Sequence, residues 1–226
     1  MCLRAERHVR IANKTVLKMM GEMGLRCLIR RKKKRASSSS YRGEVGKIFP
    51  NRLNRDFSAE RPMEKLGTDV TEFRQSWGKA YLALASDLST KEIVAYAISE
   101  RPDLAQQDEL LRMLLPRVPR DARPVLHFDM GWQYQHVFYQ QKVAAGGLEQ
   151  SMSRKRNCLD NAATEQVFGH LKDEFFRGQD TPNFAELKNG LSSYIVHWNT
   201  RRRQVKLKGL TPEEFRNQYR PTKCTG

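Results

Sequence analysis

Three acidic residues occupy positions from which they could bind a metal ion together. Asp69 lies within the predicted strand Leu66–Arg74, where an acid is disfavoured unless something compensates its charge. Asp129 directly follows the predicted strand Pro124–Phe128, and sites in open α/β sheets form outside strand ends. Glu165 lies on a predicted helix that would pack across that sheet. Three carboxylates in one cleft repel one another unless a hard dication such as Mg²⁺ binds there.

Carboxylates around Mg²⁺ would support phosphodiester chemistry. Mg²⁺ prefers oxygen ligands and keeps positions open for water and phosphate oxygens. Two such ions can activate a water or a 3′-hydroxyl and stabilise the leaving oxygen. Each acid also has a structural explanation: Asp69 as a strand acid, Asp129 as a turn residue before Gly131, and Glu165 as a solvated helical acid. Composition and periodicity do not select these three among the 25 acidic residues.

The stretch Met152–Glu174 predicts a basic loop that runs into the helix bearing Glu165. Asp160 or Asn161 is expected to cap its N-terminus, accepting hydrogen bonds from free backbone N–H groups. At 100° per residue, Glu165 and Lys172 share one face, two turns apart. A separate apolar stripe is expected to pack on the core and contains Val167, Phe168, Leu171 and Phe175.

The elements that must position these residues alternate between strands and helices. Three apolar strands with short turns predict an antiparallel meander, and later helix–strand steps predict parallel additions. The further predicted strands are Lys79–Ser86, Glu92–Ser99 and Leu148–Met152, and the further helices are Ala105–Leu115, Tyr134–Ala145 and Phe184–Arg201. This order predicts an α/β fold with a mixed five-stranded sheet flanked by helices. The first and fourth strands could be neighbours, which would bring Asp69 and Asp129 together.

The distribution of charge predicts a polyanionic partner. The net charge is +16, and residues 1–60 hold 16 Lys and Arg against 5 Asp and Glu. Residues 61–200 hold 17 against 18, and residues 201–226 hold 8 against 2. Two basic ends around a near-neutral middle are typical of nucleic-acid binding, although a solvated surface would also explain them. The run Arg30–Arg35 predicts a linker that lies along a phosphate backbone.

Other sequence classes are not indicated. No apolar run approaches the roughly 20 residues that span a bilayer, and the charged N-terminal stretch is unlike a signal peptide. The 4 cysteines are scattered without a CxxC pair, so neither a zinc site nor a disulfide framework is expected. We expect no membrane partner and a cytoplasmic, nucleoid-associated location.

The spacing of the three acids and the short sequence motifs around them do distinguish them from the other acidic residues. Between Asp129 and Glu165 lie 35 residues, and Lys172 follows seven residues later. The matching words are TDVTEF at Thr68–Phe73, DxGWQYQH at Asp129–His136, SMSRKxNCLDNAxxE at Ser151–Glu165, FGHLKDE at Phe168–Glu174, HWN at His197–Asn199 and LKGLTPEEFRNQ at Leu207–Gln218. The chain thereby resembles bacterial insertion-sequence transposases of the second-reading-frame (OrfB) type, whose catalytic core is like that of retroviral integrases.

The resemblance implies a ribonuclease H-like fold and a metal-binding triad of Asp69, Asp129 and Glu165. The implied cofactor is Mg²⁺, with Mn²⁺ as a substitute. The implied chemistry is cleavage at element ends and attack of the freed 3′-hydroxyl on another phosphodiester. Positions matching DNA contacts of the family, together with the basic run, are Lys172, Gln133, Tyr134, Arg154, Lys155, Asn157, Arg31, Lys32, Lys33 and Lys34.

The resemblance also suggests how the chain is organised. Residues 1–29 are interpreted as a partial helical DNA-binding segment or a helix that only packs on the body, residues 30–60 as a basic linker, residues 61–220 as the integrase core with its C-terminal helix, and residues 221–226 as a tail. Expected partners are DNA, further copies of the chain, and a helix-turn-helix protein from the first reading frame, separate or fused.

Two other functions remain open at this point: a ribonuclease H-like nuclease that only hydrolyses, and a decayed remnant that binds DNA without catalysis. The chain departs from the family words at Phe128, Met130 and Arg156. Strand alternation predicts that Phe128 points away from Asp129 into the core.

Overall fold

The computed structural model describes residues 11–25, 47–154 and 158–219. The strands of this part are β1 (Lys65–Gln75), β2 (Gly78–Asp87), β3 (Ile93–Ser99), β4 (Val125–Phe128) and β5 (Glu149–Met152). The helices are α1 (Asn13–Glu22), α2 (Leu104–Leu114), α3 (Trp132–Gln135), α4 (Val137–Ala145), α5 (Ala162–Leu171), α6 (Phe184–Thr200) and α7 (Pro212–Asn217). A π-helical turn, Lys172–Phe176, extends α5 directly.

The strands form one mixed sheet in the order β3-β2-β1-β4-β5. β1, β2 and β3 pair antiparallel through short turns, whereas β4 pairs parallel with both β1 and β5. The predicted five-stranded mixed sheet is confirmed, and so is the neighbouring position of its first and fourth strands.

Helices cover both faces of the sheet, and β2 shows why. Its consecutive residues Leu82, Ala83, Leu84 and Ala85 are all fully buried. The alanines face a cluster built with α2 and α4, and the leucines face a cluster built with α5 and α6. Because side chains alternate across a strand, a continuous apolar run signals a sheet buried on both faces.

The second cluster fixes the helix that carries Glu165. Val167, Phe168 and Leu171 of α5 pack there against Phe73 of β1 and against α6. Leu171 is fully buried, as the predicted apolar stripe requires. Burying such side chains contributes roughly 1.5–3 kcal/mol each, so α5 is held firmly against the sheet.

One predicted helix is wrong in its extent. The segment predicted as a single helix from Tyr134 to Ala145 is two helices, α3 and α4, because His136 interrupts them. The backbone of His136 is extended, with φ −72° and ψ 131°. Its side chain accepts a hydrogen bond from the N–H of Phe138, which begins a new helix instead of continuing the old one.

The segment from Lys47 to Glu60 contacts the core, although the sequence analysis assigned it to the linker. Leu53 is only 2% exposed, and the N–H of Arg52 donates to Ser151 Oγ. Arg31, Lys32, Lys33 and Lys34 lie outside the described residues. Helix α1 has no buried residue. The proposed domain boundaries stay predictions.

The described helices were compared with the length and apolarity that a bilayer requires. None of those in residues 11–25, 47–154 and 158–219 is long and apolar enough to cross a membrane.

Candidate active site

The parallel pairing of β1 and β4 brings two of the three acids together. The paired positions end with Gly67 opposite His127. Asp69 lies two residues further along β1, and Asp129 lies two residues further along the other chain segment. Both carboxylates therefore extend beyond the last paired positions, at the same level of the sheet.

A close helix–strand approach brings the residue before Glu165 against β1. A Cβ atom built on Gly67 would lie 2.3 Å from Thr164 Oγ1, a distance that no real side chain tolerates. Thr164 is buried and directly precedes Glu165. Gly67 therefore lets α5 approach β1 two residues before Asp69. The role of Gly67 was missed from the sequence, because it depends on a contact between distant segments.

The charges of Asp129 and Glu165 both act on Asp69. Burial raises the pKa of Asp69 well above its usual value, and the charges of Asp129 and Glu165 raise it further. A hydrogen bond of 2.7 Å from the Val70 N–H to Asp69 Oδ1 opposes this rise, as does the charge of Lys172. Both Glu165 and Lys172 act on Asp69, in agreement with the shared face predicted from helical spacing.

Asp129 has a similar but simpler environment. Burial raises the pKa of its carboxyl group, and the N–H of Gly131 donates to Oδ1 at 2.8 Å. This hydrogen bond is the turn contact expected of an Asp before Gly131. The structural and the catalytic interpretations of Asp129 are therefore compatible, because Oδ2 is not involved in that bond.

The acids are not assembled into a closed metal cage. Within the described ranges, no group of three or more His, Cys, Asp or Glu side chains is arranged to hold an ion. The side chain of Asp69 is partly buried, whereas that of Glu165 is exposed. The chemistry of the donor set nevertheless fits a hard dication, since the charges of Asp129 and Glu165 both act on Asp69 and Mg²⁺ prefers carboxylate oxygens as ligands.

Asn161 is a further polar group of the cleft. Its Nδ2 donates to Asp69 Oδ2 at 3.1 Å, and the residue is 4% exposed. Asn161 occupies the N-cap position of α5 but makes no side-chain cap hydrogen bond. The predicted capping role of its side chain is wrong, because no backbone N–H of α5 donates to it, and its Nδ2 is directed to Asp69.

Asp160, the alternative cap, is bound elsewhere. Its carboxylate accepts hydrogen bonds from the backbone and the guanidinium of Arg154, from Arg55 and from Asn51. The hydrogen bonds from Arg154 are the main reason that the pKa of Asp160 lies well below its usual range. Charged donors give stronger hydrogen bonds than neutral backbone amides. The Asp160 side chain therefore binds the arginines and does not cap the N-terminus of α5.

Lys172 lies where α5 passes into the π-helical turn. Its Nζ atom lies 5.3 Å from the centre of the Phe73 ring, a cation–π contact. Interruptions of this kind in an α-helix are frequent at functional sites. The charge of Lys172 also lowers the pKa of Asp69, so its ammonium group acts on both the ring and the acid.

The structure separates the predicted DNA contacts. A Cβ on Gly131 would lie 2.8 Å from Gln133 Nε2 and 2.9 Å from Asp129 Oδ1, so Gln133 lies beside the cleft. Tyr134 has no exposed surface and stacks on Phe128 with ring centroids 5.0 Å apart. The predicted DNA contact at Tyr134 is therefore wrong, because this side chain belongs to the core. The expected core position of Phe128 is confirmed.

The remaining predicted contacts lie on the loop before α5. Arg154 is described, and its side chain is 54% exposed although it binds Asp160. Lys155 and Asn157 lie outside the described residues, as does Arg156.

Comparisons with known proteins agree with this geometry. Two family models described as integrase core domain match residues 59–158 and residues 165–219. The putative transposase InsK of insertion element IS150 from Escherichia coli is 46% identical over 212 residues, which are 93% of this chain and 74% of that protein. An uncharacterised transposase-like protein of Haemophilus influenzae is 42% identical, covering 93% of this chain and 95% of the other. Transposase InsF of IS3A from Escherichia coli is 33% identical, covering 91% and 70%.

Solved structures share the fold at low sequence identity. The simian T-cell lymphotropic virus intasome contains a chain with a TM-score of 0.59 and 16% identity, covering 82% of this chain and 62% of that one. The HTLV-2 integrase catalytic core in complex with magnesium gives a TM-score of 0.51 and 17% identity, covering 70% and 98%. These likenesses establish the ribonuclease H-like integrase fold. Taken with the sequence relatives, they show that this chain belongs to the IS3 family of insertion-sequence transposases.

Proposed function

We propose that Asp69, Asp129 and Glu165 are the catalytic triad of this transposase and act with Mg²⁺, or with Mn²⁺ as a substitute. The observation that carries the proposal is electrostatic: the charges of both other acids raise the pKa of Asp69. Repulsion among these carboxylates destabilises the folded protein unless a bound dication compensates their negative charge. Magnesium accompanies a solved integrase core of the same fold.

The proposed mechanism uses each side chain for one task. The divalent ions would supply a Lewis acid that activates the nucleophile and stabilises the leaving oxygen. Asp69 on β1 and Asp129 directly after β4 would provide ligand oxygens, and Asn161 holds Oδ2 of Asp69 in one orientation. Glu165, an exposed residue of α5, would contribute the third carboxylate. No covalent enzyme intermediate is needed.

The reaction proceeds in two steps in this proposal. Water attacks a phosphodiester at an element end, so that one strand leaves with a free 3′-hydroxyl. That hydroxyl then attacks a phosphodiester of target DNA, and a new phosphodiester forms as an old one breaks. Both steps pass through a phosphorus centre whose added negative charge the cations of the cleft stabilise.

DNA binding is proposed for residues around the cleft and for the basic segments. Lys172 and Gln133 flank the acids, and Arg154 is half-exposed on the neighbouring loop. The basic run Arg30–Arg35 and the C-terminal segment would neutralise phosphates with little sequence preference. Alanine substitution across that run is expected to flatten the dependence of DNA affinity on salt concentration, and an unchanged slope would remove the run from the interface.

The proposed partners follow from the family. We propose DNA as element ends and target, a homo-oligomer as the active form, and a helix-turn-helix protein from the first reading frame. An oligomer is favoured because a chain of the same fold occurs in a viral intasome. We propose a cytoplasmic, nucleoid-associated location.

The test is a strand-transfer assay on a pre-cut element end, with and without Mg²⁺. Glu165→Gln is expected to abolish joining while DNA affinity changes little, because the change removes one charge from the triad. Glu186→Gln is the matched control, since Glu186 is exposed at the first turn of α6. Joining at the wild-type level by Glu165→Gln would overturn the triad. Metal-dependent cleavage without joining would favour the ribonuclease H-like nuclease, and DNA binding without either reaction would favour the decayed remnant.

A further inference from the structure

Asp160 is the centre of a buried hydrogen-bond cluster next to the candidate active site. Its side chain has no exposed surface. Oδ2 accepts from Asn51 Nδ2 at 2.9 Å, from the Arg154 N–H at 3.1 Å and from Arg154 Nε at 2.9 Å. Oδ1 accepts from Arg55 Nε at 3.1 Å and from Arg154 Nη2 at 3.0 Å. We call the side chains of Asn51, Arg55, Arg154 and Asp160 the clamp.

A second set of bonds joins the clamp to the strands. His127 Nε2 lies 2.9 Å from the backbone oxygen of Asp160, and Nδ1 lies 2.8 Å from Ser151 Oγ. A carbonyl oxygen only accepts, so Nε2 carries the proton, and in the neutral ring Nδ1 accepts from the serine hydroxyl. The same Ser151 Oγ accepts from the N–H of Arg52 at 2.9 Å.

These contacts connect three segments that are far apart in the sequence. Asn51 and Asp160 are 109 residues apart, and Arg55 and Asp160 are 105 apart. His127 stands two residues before Asp129, and Asp160 stands five before Glu165. Asn161, which follows Asp160 directly, donates to Asp69. The arm formed by residues 47–60 is therefore bonded to the segments that carry all three acids.

We propose that Asp160 is a positioning residue, through which the arm holds the start of α5 and the Asn161–Asp69 hydrogen bond in the reactive geometry. This inference rests on the proposed transposase triad.

The first test compares two arginines of the arm in the full-length chain. Arg55→Ala removes a clamp donor, whereas Arg52→Ala removes an equal charge and the exposed ion pair with Glu149, at 3.2 Å. At saturating DNA and Mg²⁺, Arg55→Ala is expected to lower the joining rate about tenfold, the size of a lost hydrogen bond to a charged group. Arg52→Ala is expected to stay within about twofold of the wild type, as exposed pairs contribute little.

A double-mutant cycle tests whether Arg55 acts through Asp160. If it does, Arg55→Ala adds little to the loss of joining rate already caused by Asp160→Asn. Arg55→Lys, which keeps a cationic donor, is expected to recover part of the rate. Equal losses for Arg55→Ala and Arg52→Ala, or fully additive losses in the cycle, would overturn the positioning role.

The second test does not require activity. Hydrogen exchange of the full-length protein reports local opening of the backbone. Arg55→Ala is expected to accelerate exchange at least threefold at amides of residues 162–165, while Arg52→Ala leaves them unchanged. Unchanged exchange in Arg55→Ala overturns the inference even if joining is active. Conversely, accelerated exchange in a protein that joins no DNA supports the clamp while the proposed transposase chemistry fails.

Discussion

The cleft with its three acids and the clamp with its single carboxylate, Asp160, have opposite electrostatics. In the cleft, burial and neighbouring acids raise the pKa of Asp69, and burial raises that of Asp129. In the clamp, hydrogen bonds from Arg154 and Arg55 lower the pKa of Asp160. The fully buried residue is the one that stays charged most easily, so burial alone does not decide the ionisation of an acid.

The cleft and the clamp differ in the source of the positive charge that compensates their carboxylates. The clamp obtains its cations from the chain, and its carboxylate is saturated with hydrogen bonds. In the part of the chain that the structure describes, the charge of Lys172 lowers the pKa of Asp69, whereas the charges of Asp129 and Glu165 raise it. A self-neutralised cluster suits a structural joint, whereas an under-compensated cluster suits a metal and a substrate.

The largest expected effect separates chemistry from positioning. Asp69→Asn should lower the strand-transfer rate roughly 1,000-fold, since metal-based charge stabilisation contributes several kcal/mol to the transition state. Asp160→Asn should lower it only about tenfold, because it loosens the clamp without removing a metal ligand. Single-turnover joining of a pre-cut end measures both rates. If the two variants lose equal activity, the distinction between the clusters disappears.

Metal binding should stabilise the folded protein through the acids of the cleft and not through the clamp. At a Mg²⁺ or Mn²⁺ concentration about 100 times the dissociation constant, the wild type should gain about 2.7 kcal/mol of unfolding free energy. Asp69→Asn should gain much less, and Asp160→Asn should gain as much as the wild type. Thermal unfolding with increasing metal measures the effect. A full gain in Asp69→Asn would place the ion elsewhere.

Removing a cation from the clamp should destabilise the fold. Arg154→Ala removes two guanidinium donors from the buried Asp160 carboxylate and leaves, among the described residues, Arg55, Asn51 and a backbone amide, at a cost of about 2 kcal/mol. Arg74→Ala, which breaks an exposed pair with Glu72, is the control and should cost under about 1 kcal/mol. Urea unfolding at neutral pH compares them. Equal midpoints would show that the clamp contributes no stability.

The smallest effect is a dependence of stability on pH. Because the folded-state pKa of Asp160 is depressed, its contribution is fully present above the unfolded pKa, near about 4, and is lost as pH falls through the folded value. The stability difference between wild type and Asp160→Asn, about 1 kcal/mol at pH 7, should shrink steadily below about pH 4. Thermal unfolding of both proteins at a series of pH values, from pH 7 to below about pH 4, measures this difference. A difference that grows on acidification would contradict the assignment.

Local sequence patterns predicted the elements well. Alternating and continuous apolar runs predicted all five strands within a few residues, since the side chains that fill each face are adjacent in sequence. The helical spacing of Glu165 and Lys172 correctly placed both on the side that faces Asp69. The break at His136 was not predicted, because an extended capping residue leaves the apolar periodicity intact.

The sequence by itself therefore determined the mixed sheet, its two apolar faces and the family words that select the triad. Only the tertiary structure decided what lies around the triad: the burial of Tyr134, the contact that requires Gly67, the Asn161–Asp69 hydrogen bond and the clamp on Asp160. The physical reason is distance along the chain. Periodicity reports which side of an element is apolar, but the contacts of Asn161 with Asp69 and of Asn51 and Arg55 with Asp160 join residues 92 to 109 positions apart, and only folding brings them within hydrogen-bond reach.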